Sequence, residues 1–341
     1  MEWWQAIILG LVEGITEYLP VSSTGHLIIT AELMRFDASV RHHVDAYTIV
    51  IQGGAILAVL GLYRARVAQM IRGLLGKDPV GRRLAMNIIV AFLPAAIIGL
   101  AVEDLIDRYL FSTWPVVTML LLGGVWMIWI DRWRKRKLAE AEAERAGDAE
   151  PDAAQGEGGP KGAGGPTKPL RRLDGTIDDL TWKGALGIGL FQCVAMIPGT
   201  SRSMMTIAGG TVLGLRPKDA AEFSFLLGLP TLGAACIWKL GNNIVDARRA
   251  GEENMLEALG ATPIVVGLLV SLVSAVLAVK WLVSFLNTHG LAPFGWYRIV
   301  LSVALTALVL TGLVSVGTSA VEPSPLTLPE LAPTGGATLP E

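Results

Sequence analysis

Charged side chains are scarce in this chain of 341 residues. Asp, Glu, Lys and Arg together make up 17% of the sequence, whereas 52% of the residues are hydrophobic. An ordinary globular domain carries about 25% charged residues. This shortage excludes most soluble folds, and the mean hydropathy of +0.51 agrees with that exclusion. The formal net charge of −2 also gives no reason to expect a nucleic-acid partner.

Cysteine is rare as well, and the common fingerprints of soluble enzymes are missing. Cys193 and Cys236 both lie in apolar stretches, which predicts packing rather than a disulfide framework or a metal cluster. The chain has no P-loop, no dinucleotide-binding fingerprint, no zinc-ligand spacing and no catalytic-triad signature. Residues 1–4 lack the positive charge of a cleavable signal peptide, so we expect them in the mature protein.

The apolar residues occur in long runs that contain almost no charged side chains. Residues 85–100, 116–130, 264–279 and 299–316 are almost entirely apolar. A helix needs about 20 mostly apolar residues to span a bilayer, and with their flanks these runs reach that length. We therefore predict an all-α polytopic membrane protein. Its six full transmembrane helices are expected at 46–63, 84–103, 114–131, 220–241, 262–286 and 294–317.

Two further apolar regions, 3–34 and 182–215, are each interrupted by a polar turn. The first turn reads Pro-Val-Ser-Ser-Thr-Gly from Pro20, and the second reads Pro-Gly-Thr-Ser-Arg-Ser from Pro198. Each half has about 12–16 residues, which is too short to cross and is typical of a re-entrant helical hairpin. Non-helical backbone at membrane depth is tolerated only where it lines a cavity or is buried in protein. The function should therefore be sought at these two turns.

The distribution of charge predicts an orientation. The loop 64–83 and the segment 132–137 are rich in Arg and Lys, whereas the loops on the opposite side are rich in acids. The positive-inside rule places the two basic segments in the cytoplasm. Residues 1–45 would then approach the membrane from outside, and residues 182–219 from inside.

This arrangement predicts an inverted-topology repeat of 1–137 and 181–318. Residues 10–13, Gly-Leu-Val-Glu, resemble residues 189–192, Gly-Leu-Phe-Gln, and each half would contain one hairpin and three spans. Between the halves, residues 138–180 are rich in Ala, Glu, Gly and Pro, which predicts a flexible cytoplasmic linker. We expect the tail, 319–341, to be disordered.

The first broken region contains two carboxylates and a cluster of hydroxyls. Glu13 and Glu17 are four residues apart and share one helix face, so they need a cation, a shared proton or water. Ionisable residues inside membrane segments are usually functional, although a wet helix near the interface is an alternative. The turn supplies Ser22, Ser23 and Thr24 at a helix N-terminus, where an anion can bind. A hydroxyl there is also a nucleophile if a base such as His26 is near, and plain helix capping is the alternative.

The second broken region supplies a positive charge, Arg202, at the start of another helix. A guanidinium in lipid costs several kcal/mol unless it faces water or a partner. Its planar fork, with the hydroxyls of Ser201, Ser203 and Thr206 nearby, suits a phosphate. The alternative is a structural ion pair with Glu13 or Glu17.

The run from Leu11 to Leu27 strongly resembles the first signature of the bacterial undecaprenyl-diphosphatase family of the bacitracin-resistance type. Residues 198–203 with Thr206 resemble the second signature, and the resemblance covers the chain except for the linker and the tail. It implies an enzyme of the bacterial inner membrane that removes the terminal phosphate of undecaprenyl diphosphate on the periplasmic side. That reaction recycles the lipid carrier of cell-wall polymers and explains bacitracin resistance.

The residues and the resemblance together predict a mechanism. Arg202, Ser201, Thr206 and helix N–H groups would hold the diphosphate, with Ser22, Thr24 and Ser203 as further substrate contacts. Glu13 and Glu17 would bind a divalent cation, Mg²⁺ or Ca²⁺. Ser23 would be the nucleophile with His26 or Glu17 as its base, and direct attack by water is the alternative.

Other classes and assemblies remain open at this point. A transporter or flippase of an anionic lipid would share the inverted repeat, the broken helices and the anion site. A membrane scaffold would leave the buried charges without a purpose. The expected partners are the polyprenyl diphosphate substrate and membrane lipids, and a homodimer is among the alternatives for the oligomeric state.

Overall fold

The computed structural model describes residues 1–36, 38–110, 112–148, 173–251 and 253–312. Within these ranges the regular structure is helical, apart from an isolated bridge between Gly175 and Leu215. The helices are α1 (Trp3–Thr16), α2 (Ser23–Met34), α3 (Ala38–Leu62), α4 (Arg64–Leu74), α5 (Pro79–Tyr109), α6 (Thr113–Asp148), α7 (Trp182–Val194), α8 (Arg202–Val212), α9 (Pro217–Ala250), α10 (Met255–Leu259), α11 (Ala261–Leu286) and α12 (Ala292–Leu310).

Five of these helices, α5, α6, α9, α11 and α12, are long and apolar enough to cross a membrane. They overlap five of the six predicted spans, and α12 ends at Leu310, before the predicted end at 317. The sixth predicted span is the apolar part of α3, which is followed by α4 at a bend of 77° after Leu62. The prediction of an all-α polytopic membrane protein is confirmed.

Both predicted interruptions are present in the described chain. α1 ends at Thr16 and α2 begins at Ser23, while α7 ends at Val194 and α8 begins at Arg202. The residue before each second helix is a serine in a left-handed conformation, with φ of 74° at Ser22 and 75° at Ser201. Such a φ is uncommon outside glycine and costs roughly 1–3 kcal/mol, so surrounding contacts must hold it.

Helices approach each other most closely at glycines. A Cβ on Gly10 of α1 would lie 2.6 Å from the carbonyl oxygen of Gly267 on α11. α6 and α12 meet in the same way, since a Cβ on Gly124 would lie 2.7 Å from the carbonyl oxygen of Gly295. Small residues let helix backbones pack tightly inside a membrane, where the hydrophobic effect does not drive helix association. The first contact positions the hairpin of α1 and α2 against α11, and the second joins two spans.

Gly14→Ala should destabilise the protein by about 1–3 kcal/mol, because the added Cβ overpacks the interface between α1 and α11. That Cβ would lie 2.3 Å from the carbonyl oxygen of Ser271, a backbone atom that cannot easily move. Thermal unfolding in detergent measures the effect. The matched control is Gly61→Ala in α3, where no atom lies within 4 Å of the new Cβ. Alanine's higher helix propensity should stabilise the Gly61→Ala control by up to about 1 kcal/mol. If Gly14→Ala and Gly61→Ala had equal melting temperatures, the tight contact between α1 and α11 would be refuted.

The predicted linker, 138–180, is ordered at both ends. α6 continues to Asp148, because Ala, Glu, Lys and Arg favour helix and Lys137 pairs with Glu140 at 2.7 Å. At the other end, Leu173, Ile177 and Leu180 are buried against the helices. The expectation of a linker without packed structure is therefore wrong for these two ends. Residues 149–172 and the predicted tail, 319–341, lie outside the described residues.

Candidate active site

The two broken regions meet at one cavity. It has a volume of about 200 Å³ and is lined by residues of both turns together with Gln52 of α3. The polar residues in its lining are Glu17, Ser22, Ser23, Thr24, Gln52, Ser201 and Arg202. The sequence suggested each turn separately, and the structure brings them together.

Glu17 lies at the centre of the site and contacts both turns. It follows the last residue of α1, and only 6% of its surface is exposed. Its Oε2 accepts a hydrogen bond of 2.7 Å from the Ser23 hydroxyl, and its Oε1 accepts one of 3.4 Å from Nη2 of Arg202. A carboxylate that accepts the hydroxyl proton makes Ser23 a better nucleophile.

Arg202 is held in a fixed orientation by contacts with α9 and with the segment that follows α1. Its Nη1 donates to the carbonyl oxygen of Ser224 on α9 at 3.0 Å, and its guanidinium carbon lies 5.4 Å from the ring centroid of Tyr18. Gly228 leaves room for the guanidinium, since a Cβ there would lie 3.0 Å from Nη1. The ion pair with Glu17, which was the structural alternative, is present. Arg202 nevertheless lines the cavity, and 11% of its side chain is exposed.

The hydroxyls around Arg202 have different partners from those predicted. Ser203 and Thr206 are completely buried, and the cavity lining does not include them. Ser203 donates to the carbonyl oxygen of Leu19 at 2.8 Å, which ties α8 to the first turn. Thr206 Oγ1 lies 2.8 Å from the carbonyl oxygen of Arg202 and 2.6 Å from the hydroxyl of Ser224. Substrate contact by Ser203 and Thr206 stays a prediction that this geometry does not favour, because both hydroxyls already bind protein.

His26 is engaged at both ring nitrogens. Nδ1 lies 2.8 Å from the carbonyl oxygen of Ser22, and Nε2 lies 2.7 Å from the hydroxyl of Tyr297, whose ring stacks on the imidazole. A carbonyl only accepts, so Nδ1 donates to Ser22, and in the neutral tautomer this leaves Nε2 to accept from the Tyr297 hydroxyl. His26 therefore supports the strained turn at Ser22, and Glu17 is the better placed base for Ser23.

Glu13 offers a carboxylate oxygen that has no partner. The residue is 1% exposed, and its Oε1 is buried without a hydrogen-bond partner among the described residues. It lines a second cavity of about 190 Å³ with Ser23, Thr24 and Gln52. A buried, unpaired carboxylate oxygen needs a cation or a proton. The oxygen donors fit Mg²⁺ or Ca²⁺. The described residues contain no cluster of three or more His, Cys, Asp and Glu, so substrate oxygens or water would complete the coordination.

Similarity to known proteins decides the family. The family model of the bacitracin resistance protein BacA matches residues 6–304 of this chain. The chain belongs to the BacA family. A protein of Sorangium cellulosum named undecaprenyl-diphosphatase is 40% identical over 313 residues, covering 91% of this chain and 86% of that protein. Undecaprenyl-diphosphatase 2 of Rhodospirillum rubrum is 41% identical over 312 residues, covering 91% of this chain and 96% of that protein.

The site of this BacA-family protein also contains residues that the sequence analysis overlooked. Arg298 is completely buried, and its Nη2 donates to the carbonyl oxygens of Gly199 and Thr200 at 2.9 and 3.2 Å. It therefore holds the backbone of the second turn. Its signal was available, because it is an arginine inside the otherwise apolar segment 294–317, and such residues are seldom without a role. Gln52 was equally visible as a polar residue within a predicted span.

Proposed function

We propose that this protein hydrolyses undecaprenyl diphosphate to undecaprenyl phosphate and inorganic phosphate. The observation that carries the proposal is the contact of Glu17 with both Ser23 and Arg202 inside one cavity. This arrangement puts a polarised nucleophile beside a cation that binds phosphate. The reaction recycles the carrier lipid for cell-wall polymers, and removal of the diphosphate form gives resistance to bacitracin.

Two neighbouring cavities suit the two parts of this substrate. The polar cavity around Glu17 and Arg202 accommodates the diphosphate. The neighbouring cavity shares Ser23, Thr24 and Gln52 with it, and its apolar side would take the first isoprene units. The apolar lining of this second cavity consists of Leu27, Ile28, Ala31, Val44 and Ile49.

The membrane arrangement is an inverted repeat of one re-entrant hairpin and three spans in each half. Matching contacts support it, because α1 packs on α11 as α7 packs on α5. Gly10 of α1 approaches the backbone of Gly267, and Gly189 of α7 approaches the backbone of Ala91. The left-handed serines, Ser22 and Ser201, also correspond. The basic α4 and the basic end of α6 then face the cytoplasm of a bacterial inner membrane, and the site opens toward the periplasm.

In the reaction, Arg202 holds the terminal phosphate and stabilises the charge of a loose transition state. Ser23 Oγ attacks the terminal phosphorus while its proton passes to Glu17. The bond from that phosphorus to the bridging oxygen breaks, and undecaprenyl phosphate leaves. Water then cleaves the phosphoserine, which releases inorganic phosphate and restores Ser23. A divalent cation held by Glu13 and Glu17 would neutralise phosphate charge when bound.

Purified protein in detergent should release phosphate from a C55 or C15 prenyl diphosphate. EDTA should abolish the release, and added Mg²⁺ or Ca²⁺ should restore it, because the carboxylate pair binds the cation. The assay counts inorganic phosphate over time with and without chelator. If folded, lipid-supplemented protein released no phosphate, the hydrolase would be refuted and a lipid-phosphate transporter would become the leading alternative.

Ser23→Ala should lower kcat by roughly 10³-fold, because the nucleophile is gone. No covalent phosphoserine should form in this variant. Acid quenching with a substrate labelled at its terminal phosphate detects the phosphoserine. The control is Thr30→Val on the same helix, whose hydroxyl donates only to the backbone of His26. A loss of less than about tenfold in Ser23→Ala would instead identify water as the direct nucleophile.

A further inference from the structure

A groove remote from the catalytic cavities lies between α6 and α12 at the basic end of α6. It has a volume of about 460 Å³ and shares no lining residue with the two cavities described above. Three tryptophans and two arginines dominate its lining, which comprises Trp129, Trp133, Trp296, Arg132 and Arg136 over an apolar floor. A water molecule occupies roughly 30 Å³, so the groove takes a group larger than a single small ion.

The groove lies where the apolar part of α6 gives way to its basic part. Trp129, Arg132, Trp133 and Arg136 are spaced three and four residues apart, so they share one face of the helix. The rings of Trp129 and Trp133 stack at 6.5 Å, and Trp129 and Trp296 are 57% and 55% exposed. Exposed tryptophans at such a transition are typical of the membrane–water interface.

The two arginines differ from the neighbouring lysines in having no counter-charge within the described part of the chain. Lys135 pairs with Asp131 at 2.8 Å, and Lys137 pairs with Glu140 at 2.7 Å. Neither Arg132 nor Arg136 has an ion pair among the residues that the structure describes. Their charge is therefore left for an external anion, and guanidinium groups bind phosphate oxygens in a bidentate manner.

We propose that this groove binds the phosphate headgroup of an anionic phospholipid in the cytoplasmic leaflet. Arg132 and Arg136 hold the phosphate, the tryptophans flank the glycerol region, and the acyl chains run along the apolar surface of α6 and α12. The leaflet follows from the inferred orientation, whereas the binding itself does not depend on the proposed hydrolase activity. The site would anchor the cytoplasmic end of α6 and α12, and Arg298 of α12 holds the second turn.

Native mass spectrometry of the full protein, released from mixed micelles with phosphatidylglycerol or phosphatidylcholine, tests this site. The wild type should retain phosphatidylglycerol in preference to phosphatidylcholine. The double variant R132Q/R136Q should bind phosphatidylglycerol at least about tenfold more weakly, because each basic residue near the headgroups contributes to the attraction. The control, K135Q/K137Q, removes the same net charge on α6 and should bind like the wild type. Trp296→Leu should weaken binding severalfold at unchanged charge.

Four results would overturn the proposal. Equal losses in the two double variants would mean diffuse attraction to the basic end of α6. Unchanged binding of phosphatidylglycerol in R132Q/R136Q would show that the two arginines do not bind the lipid phosphate. Displacement of the lipid by millimolar inorganic phosphate would mean a simple anion site. A dimer that Trp296→Leu dissociates would make a second copy of the chain the occupant. Melting temperatures in detergent verify that each variant is folded. Lipid binding is measured without substrate, so the test does not depend on whether the protein hydrolyses a prenyl diphosphate.

Discussion

Replacing Arg202 with alanine should lower kcat for phosphate release by roughly 10³-fold or more, because the charge of the transition state loses its stabilising cation. Arg202 is the only arginine among the described residues that line the cavity. Arg202→Lys should remain impaired, since an ammonium cannot reproduce both the bond to the Ser224 carbonyl and the contact with Glu17. The measurement is the rate of phosphate release at saturating prenyl diphosphate, together with KM.

The control for this prediction is Arg216→Ala. Arg216 precedes α9 and pairs with Asp219 at 2.7 Å, away from the cavity, and its side chain is 38% exposed. Its loss should leave kcat within about twofold of the wild type, because partly exposed ion pairs contribute little. Near-normal phosphate release by Arg202→Ala in a folded protein would remove the guanidinium from the reaction and contradict the proposed clamp.

Glu17→Gln should reduce kcat by roughly 10²–10⁴-fold while keeping the shape of the side chain. The amide cannot take the proton from Ser23, and it no longer carries the charge that pairs with Arg202. Excess Mg²⁺ or Ca²⁺ should not rescue this variant.

Glu13→Gln should mainly change the dependence of the rate on the cation. Glu13 forms no hydrogen bond with Ser23 among the described residues, and its expected role is to hold the cation. We expect a higher cation requirement there, which a titration of phosphate release against free cation measures.

Glu222→Gln is the matched control for the loss of one carboxylate. Glu222 pairs with Arg66 at 2.9 Å near the start of α9, and it lines neither catalytic cavity. Its variant should retain the wild-type rate and cation requirement. If Glu17→Gln also kept its rate, the base would have to be another group. Rescue of Glu17→Gln by excess cation would assign Glu17 to cation binding alone.

The sequence was sufficient for the fold class and for the position of both turns. Apolar runs longer than the bilayer thickness form helices because every backbone group in lipid must be hydrogen-bonded within the protein. Pro20 and Pro198 interrupt two such runs, and the structure breaks the helices there. Glu17 and Arg202 were predicted as site residues from the cost of placing charge in an apolar segment, and Ser23 from its hydroxyl at a helix N-terminus. The structure places Glu17 in contact with both of the others.

The prediction of a flexible linker from composition was wrong at both ends of the segment 138–180. Residues 138–148 are rich in Ala and Glu, which are strong helix formers, and they extend a helix that is already nucleated in the membrane. Residues 173–180 fold because buried Leu173, Ile177 and Leu180 pack on helices that are distant in sequence. A composition average over the whole segment could not reveal either effect.

The directions of individual side chains also required the tertiary structure. Ser203 and Thr206 follow Arg202 on α8, and local spacing does not tell whether a hydroxyl faces the cavity or a neighbouring helix. The neighbours decide, because Leu19 and Ser224 offer hydrogen-bond partners in the protein interior. His26 likewise has both ring nitrogens occupied by Ser22 and a residue 271 positions away, Tyr297.

The sequence by itself determined that this chain is helical, crosses a membrane and carries its charged chemistry at two interrupted segments. These properties follow from local hydropathy and from the cost of unpaired polar groups in lipid. Only the tertiary structure decided that the two segments share one cavity, that Glu17 rather than His26 faces Ser23, and that Arg298 fixes the second turn. Those facts depend on contacts between residues far apart in the chain, which close packing of helices at glycines brings within hydrogen-bonding distance.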